Sequence, residues 1–228
     1  MLRTLDLTKH YNNHVVLNSL NFTLDSGKTL AIVGPNGAGK STLFKILAGI
    51  DRQSSGECYF AEQPIADVAP SQLGYLAEQP YYFDDFTPIE MIQFEAAMRE
   101  ISLSGGEMEY ALDNFLINSF ATTKMKNLSQ GMKKRVSLAC AFLGQPLVLV
   151  LDEPLNGLDI KTVFALKRQI QEVQERKTSI IISSHILNFF DGLVSQVIFL
   201  KEGLIVYESD DLGKSVEDAY KEVFEIGD

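Results

Sequence analysis

The sequence is short of basic side chains. It carries 20 Lys and Arg against 30 Asp and Glu, a formal charge of −10 and a pI near 4.8. That excludes a general nucleic-acid platform, which needs a basic face to replace phosphate counterions. A few placed donors for a nucleotide remain compatible with it. Cysteine is almost missing: Cys58 and Cys140 have no metal-ligand spacing around them and read as two small buried thiols. No apolar run approaches the roughly 20 residues that cross a bilayer. The start, Met1-Leu-Arg-Thr-Leu-Asp-Leu7, lacks the apolar core of a signal peptide. The chain is therefore expected to be soluble and intracellular, and to act on a membrane only through a partner. Low-complexity linkers and internal repeats are also absent. What is present is 228 residues with 46% hydrophobic side chains, enough for one compact domain or two closely joined subdomains with a substantial core.

Short apolar runs at Thr29–Val33, Leu147–Leu151 and Thr178–Ser183 read as buried strands, each followed by a turn. Helical patterns separate them, which predicts parallel pairing and an α/β fold. The segment through about Phe60 alternates more and predicts antiparallel strands. Between about residues 81 and 132 the strand signals vanish, so this stretch reads as a helical insertion into a core formed by 1–80 and 133–228. Thr87-Pro-Ile-Glu90 has the form of a capped helix start, with threonine as cap, proline first and glutamate three residues on. Ser215-Val-Glu-Asp218 resembles a second, ahead of a short helix with Val216, Tyr220, Val223 and Phe224 on one face.

The sharpest local signal is Gly34-Pro35-Asn36-Gly37-Ala38-Gly39-Lys40-Ser41-Thr42, a phosphate-loop pattern placed between a strand and a helix expected over Leu43–Ala48. Its glycines let consecutive N–H groups turn inward around phosphate oxygens. Lys40 is suited to the β- and γ-phosphates and Ser41 to Mg²⁺, with the helix dipole aimed at the same anion. The chain is thus expected to bind a nucleoside triphosphate.

Leu147–Leu151 runs directly into Asp152-Glu153, which brings two adjacent carboxylates to the edge where open α/β sheets bind ligands. Strand alternation points them apart, so Asp152 can hold Mg²⁺ while Glu153 polarises an attacking water. An acidic loop after a core strand is the bland alternative, and the nearby phosphate loop argues against it. His185, after the third strand, could orient that water. Taken alone, a histidine at a strand end is usually structural.

With these pieces in place the whole chain resembles the nucleotide-binding domain of ABC transporters, most closely the ABC-2 type exporter cassettes. Leu128-Ser129-Gln130-Gly131-Met132, followed by Arg135, resembles the signature motif just ahead of the Asp152-Glu153 strand. Asn156-Gly-Leu-Asp159 resembles the D-loop, His185 stands at the switch-histidine position, and Tyr11 matches the aromatic that stacks on adenine, with a core aromatic as the other reading. The resemblance implies a P-loop NTPase core with a mixed, mainly parallel sheet, an N-terminal antiparallel β subdomain and an inserted helical subdomain. It implies ATP and Mg²⁺ as cofactors and a head-to-tail dimer, with ATP between one copy's phosphate loop and the other's Ser129, Gln130 and Gly131. Two partners follow: a second cassette, identical or paralogous, and a separate transmembrane permease that holds the protein on the cytoplasmic face of the membrane. Nucleic acid is not expected. The runner-up is a soluble ABC ATPase acting on nucleic acid or ribosomes, disfavoured by the absence of basic arms and long coiled-coil insertions. Export is favoured over import because of the motif spellings and because no regulatory domain follows.

The sequence departs from the family pattern in places. Gln130 and Met132 replace a glycine and a glutamine, and Leu155 and Ile160 replace more polar residues beside the D-loop. In Gly74-Tyr-Leu-Ala-Glu78-Gln79, alignment puts Glu78 where a metal-sensing glutamine is usual, with Gln79 as the alternative. Leu103-Ser-Gly-Gly-Glu107 spells a closer match to the usual signature but lies too early and reads as a turn between helices. Tyr81, Tyr82, Phe83 and Phe86 are either anchors for the permease or packing between insertion and core.

Overall fold

Alternation in the first 60 residues produces the expected antiparallel sheet. In the computed structural model, which describes residues 1–211 and 215–225, β1 (Leu2–Tyr11) pairs antiparallel with β2 (His14–Leu24) on one side and β4 (Ser55–Phe60) on the other. A short β5 (Gln63–Pro64) completes the order β2-β1-β4-β5. Leu2, Leu17, Leu20 and Leu24 point from it into a fully buried layer.

The other side of that layer is a six-stranded sheet in the order β10-β9-β3-β8-β7-β6. Its strands are β3 (Thr29–Val33), β6 (Leu73–Leu76), β7 (Val148–Leu151), β8 (Ser179–Ile182), β9 (Gln196–Lys201) and β10 (Leu204–Ser209). All neighbours are parallel except the edge pair β9–β10. The three strands read from sequence are therefore present, two of them slightly shorter. Both faces are covered, which explains why the strands are apolar throughout. Leu30, Ile32, Val148, Val150 and Ile181 face the antiparallel sheet. Their neighbours Ala31, Val33, Leu149, Leu151, Ile180 and Ile182 face a second core under the helices.

The helices are α1 (Lys40–Leu47), α2 (Pro88–Met98), α3 (Gly105–Asn114), α4 (Gln130–Phe142), α5 (Ile160–Glu175) and α6 (Val216–Val223). The reciprocal cap at Thr87 is formed: its hydroxyl accepts from Glu90 N–H at 3.3 Å and the Glu90 carboxylate accepts from Thr87 N–H at 2.7 Å. Such caps contribute about 1 kcal/mol each. Ser215 likewise accepts from Asp218 N–H at 3.1 Å. One expectation is corrected here. Leu103–Glu107 is not merely a turn, because Ser104 caps α3 and Gly105–Glu107 form its first helical turn, closed by a Ser104–Glu107 capping box. Both cysteines are buried, which pushes the Cys58 thiol up to about 12 and that of Cys140 further in the same direction. No helix among the described residues is long and apolar enough to cross a membrane.

Candidate nucleotide site

Parallel register delivers four strand ends to one edge of the sheet. Leu76 is level with Leu151, and Leu151 with Ile182, so Glu78, Asp152 and Ser183 emerge side by side. The phosphate loop leaves β3, which lies between β8 and β9. Together they wall a cavity of about 350 Å³ lined by Asn36, Gly37, Gly39, Lys40, Ser41, Thr42, Glu78, Asp152, Glu153 and His185, with Val16 from β2 closing one side.

The loop is held in shape by backbone. Gly39 has φ 103°, and a Cβ there would stand 2.8 Å from the Val16 carbonyl, so only glycine fits. Ala38 N–H donates to Pro35 O at 3.2 Å, and Ala38 O accepts from Gly203 N–H at 3.0 Å, tying the loop to the β9–β10 turn. Lys40 is buried and donates to the carbonyls of Gly34 (2.6 Å) and Pro35 (3.1 Å). Burial lowers its pKa, opposed by the charges of Glu153, Asp152 and Glu78.

The two carboxylates are positioned by β8. The Ser183 hydroxyl donates to Asp152 Oδ1 at 2.8 Å and accepts from Glu153 N–H at 2.9 Å. Glu153 sits at φ 46°, a conformation that costs a side-chain-bearing residue of order 1–3 kcal/mol and persists where surroundings enforce it. His185 N–H donates to Glu153 Oε2 at 3.2 Å, while His185 Nε2 stands 3.2 Å from Oε1. Burial pushes the Glu153 carboxyl above the usual glutamate range, against the pull of His185 and Lys40. Among the described residues, Asp152 Oδ2 and Glu153 Oε1 are buried without a hydrogen bond, Oε1 having only the His185 ring beside it. Orphaned carboxylate oxygens facing a cavity are expected where a cation and a water belong.

The remaining candidates lie elsewhere. Tyr11 is 46% exposed and stands beside the cavity residue Thr42; its hydroxyl donates to Asp51 at 2.7 Å and Lys9 covers one ring face at 4.9 Å. Of the pair left open, Glu78 lines the cavity and Gln79 does not. Ser129, Gln130, Gly131 and Asp159 do not line it either. Ser129 caps α4, its hydroxyl accepting from Met132 N–H at 3.3 Å. Asp159 caps α5 through Thr162 and pairs with Arg135 at 3.0 Å. A Cβ at Gly131 would stand 2.6 Å from the Gly157 carbonyl, so the start of α4 rests directly on the Asn156–Asp159 segment. Two residues of the site were not found from sequence: Val16 and Ser183. Their only signal was position after or within an apolar run.

A phosphate loop, a clamped carboxylate pair and a remote signature helix in one chain are matched by the family model for ABC transporters over residues 17–156. The chain belongs to the ABC transporter family. It is an ATP-binding and ATP-hydrolysing cassette of that family. Among curated relatives, the lantibiotic transport ATP-binding protein SrtF of Streptococcus pyogenes is 31% identical over 210 residues, covering 92% of this chain and 91% of its own. The SkfA peptide export ATP-binding protein SkfE of Bacillus subtilis is 28% identical over 214 residues, with 91% and 88% covered. A solved ATP-binding subunit of an ABC transporter superposes with TM-score 0.88 at 28% identity, over 98% of this chain and 99% of that one. A dimeric ATP-binding cassette bound to ADP and Pi shares the fold at TM-score 0.83 and 23% identity, over 92% and 98%. The cassette fold seen here, with mixed sheet, antiparallel N-terminal sheet and helices, agrees with both.

Proposed function

We propose that this cassette is the motor of an exporter, working in a head-to-tail pair and attached to a separate permease on the cytoplasmic face of the membrane. The observation that carries the reading is the cavity wall. A buried lysine and two buried carboxylates with oxygens that lack a hydrogen bond meet under a preformed phosphate loop. In that cavity the phosphates replace Gly34 and Pro35 as partners of Lys40, and backbone N–H groups of Gly37–Ser41 surround them. Tyr11 offers its free ring face to adenine.

The residues present fit Mg²⁺. Ser41, Asp152 and Glu78 supply oxygen ligands, and the described residues form no cluster of three or more His, Cys, Asp or Glu that would hold a metal by themselves. A divalent ion held by these residues would need further oxygen ligands beyond them. When bound it neutralises charge on the transferring phosphoryl group. Glu153 Oε1 then accepts a hydrogen bond from the attacking water and takes its proton as general base, while His185 orients the γ-phosphate and the water.

Ser129, Gln130 and Gly131 complete the reading from the opposite copy, whether a second copy of this chain or a paralogue. Their helix N-terminus offers a hydroxyl and N–H donors to a γ-phosphate that their own chain's cavity cannot present. Asp159 serves the same seam by holding Arg135 and α5 in place. Ile160, 75% exposed one helical turn before exposed Phe164, gives that region apolar surface.

The permease would seat in a groove of about 710 Å³ between the core and α2. Of the four aromatics in this region, Tyr81 is 78% exposed and lines the groove. Tyr82, Phe83 and Phe86 pack partly buried against the core, so they serve chiefly as packing, with Phe83 also reaching the groove. Export follows the relatives' printed roles in lantibiotic transport and peptide export. The test is capture of the tagged protein from mild-detergent membranes. A multi-span membrane protein co-purifying in stoichiometric amount is expected; soluble chains, ribosomes or DNA alone would overturn the transporter reading.

A further inference from the structure

Lys134 is a buried cation for which the chemistry above has no use. It lies in the second turn of α4, is 4% exposed, and donates to the Glu78 carbonyl at 3.4 Å. An ammonium is retained in an interior only where nearby charge and hydrogen bonds repay its desolvation. Here burial lowers its pKa and the charges of Asp152, Glu153 and Glu78 oppose that. These are the same three carboxylates that act on Lys40. Lys40 forms part of the cavity wall and Lys134 does not, so the two lysines face the same three carboxylates from inside and outside the cavity.

Helix α4 gives the outer lysine its meaning. Ser129 caps its N-terminus, Lys134 touches the Glu78 segment, and Val136, Ser137 and Cys140 line the large groove. We propose that Lys134 is a positioning residue that holds the Glu78 segment and offsets the carboxylate charge, so that displacement of α4 is passed to this subunit's own metal-binding edge. The inference rests on the reading that the cavity takes a metal-bound nucleoside triphosphate. A rigid helix gripped at either end by a partner is then wired to the chemistry by one side chain.

The charge argument sets the sign of the test. Removing the ammonium leaves three carboxylates less balanced, so the edge should attract a divalent cation more strongly while the Glu78 segment loses its tether. Mn²⁺ binding is read by electron paramagnetic resonance with a non-hydrolysable ATP analogue present, beside steady-state turnover and Tm. For Lys134→Met we expect Mn²⁺ affinity to rise about 3- to 10-fold and kcat at saturating Mg²⁺ to fall about tenfold or more. Lys134→Arg should restore both. Glu78→Gln added to Lys134→Met should return Mn²⁺ affinity toward the parent value. Lys134→Gln carries the same expectation if the methionine variant is insoluble. Unchanged or weaker Mn²⁺ binding, with or without a fall in kcat and Tm, overturns the proposal, since it leaves only a packing role. If the parent protein itself binds no analogue, it is the cavity reading that fails, and nucleotide binding without metal reports that separately.

Discussion

The phosphate half of this cassette and its signature half are built to different degrees of completion. At the phosphate half, four strand ends, the β9–β10 turn and β2 all converge, and each functional group already has a fixed position. The Ser183 hydroxyl holds the Asp152 carboxylate and the Glu153 backbone, His185 N–H holds the Glu153 carboxylate, and Gly39 fits against Val16 with no room for a side chain. At the signature half, Ser129 does no more than cap its own helix, and its neighbours are held from behind by Gly157 and by the Arg135–Asp159 pair. A rigid pocket and a rigid but unemployed helix end in one chain make sense if each meets the other's counterpart across a two-fold pair. The unfinished half is the one through which a second subunit can exert control.

Breaking the complete half should have the largest effect. Glu153→Gln is expected to leave ATP binding intact and to cut turnover on the order of 10²- to 10⁴-fold, the worth of a general base. It should also accumulate an ATP-dependent dimer by light scattering; hydrolysis at the parent rate would remove Glu153 from its role. Breaking the incomplete half should be milder for one chain and decisive for the pair. Ser129→Arg should bind nucleotide like the parent yet fail to dimerise with ATP. Mixing it with Lys40→Ala should recover turnover, because one intact composite site can then form from two defective chains. If the mixture stays as inactive as its parts, the two halves do not meet across subunits.

The smallest effect sharpens the comparison at the outer side of the phosphate half, where Tyr11 meets Asp51. Hydrogen bonds from Lys9 and Tyr11 hold the Asp51 carboxyl down at about 2. Its depressed pKa contributes stability that is present above the unfolded value near 3.8 and is lost as pH falls toward 2. The pair is partly exposed and screened, so Asp51→Asn should cost under about 1 kcal/mol at neutral pH. In urea titrations the difference should close between pH 4 and 2; a gap that persists at pH 2 would mean the carboxylate charge is not its source.

Much of this was legible in the chain because the signals are local. A strand, a glycine-rich turn and a helix in sequence define the phosphate loop without tertiary information, and Leu147–Glu153 announces both a buried strand and its cargo. Thr87–Glu90 formed its capping box as read, since every partner lies within one turn. What could not be read depends on contacts across the sheet. Ser183 gains its importance only because β8 lies beside β7, and Val16 reaches the cavity from a different sheet. Which of Glu78 and Gln79 lines the cavity depends on the direction of a loop past a strand end, which periodicity does not supply. Lys134 was hidden for another reason: a lysine within a run of three basic residues, Lys133-Lys134-Arg135, looks solvated, and only helix packing buries the middle one.

The Gly157 carbonyl beneath Gly131 also limits how this motif can drift. Gln130 begins α4 on an exposed face, where a long side chain meets no obstacle. One residue later even a methyl group would force the D-loop back. For packing within one chain the two positions thus carry unequal constraint, and a library scored by Tm should accept many residues at 130 and almost none but glycine at 131. At Leu103–Glu107 the situation is reversed, because an added Cβ at Gly105 or Gly106 meets nothing within 4 Å. A search by spelling alone favours the segment whose glycines meet open space, whereas Leu128–Met132 holds the glycine with a neighbour to avoid.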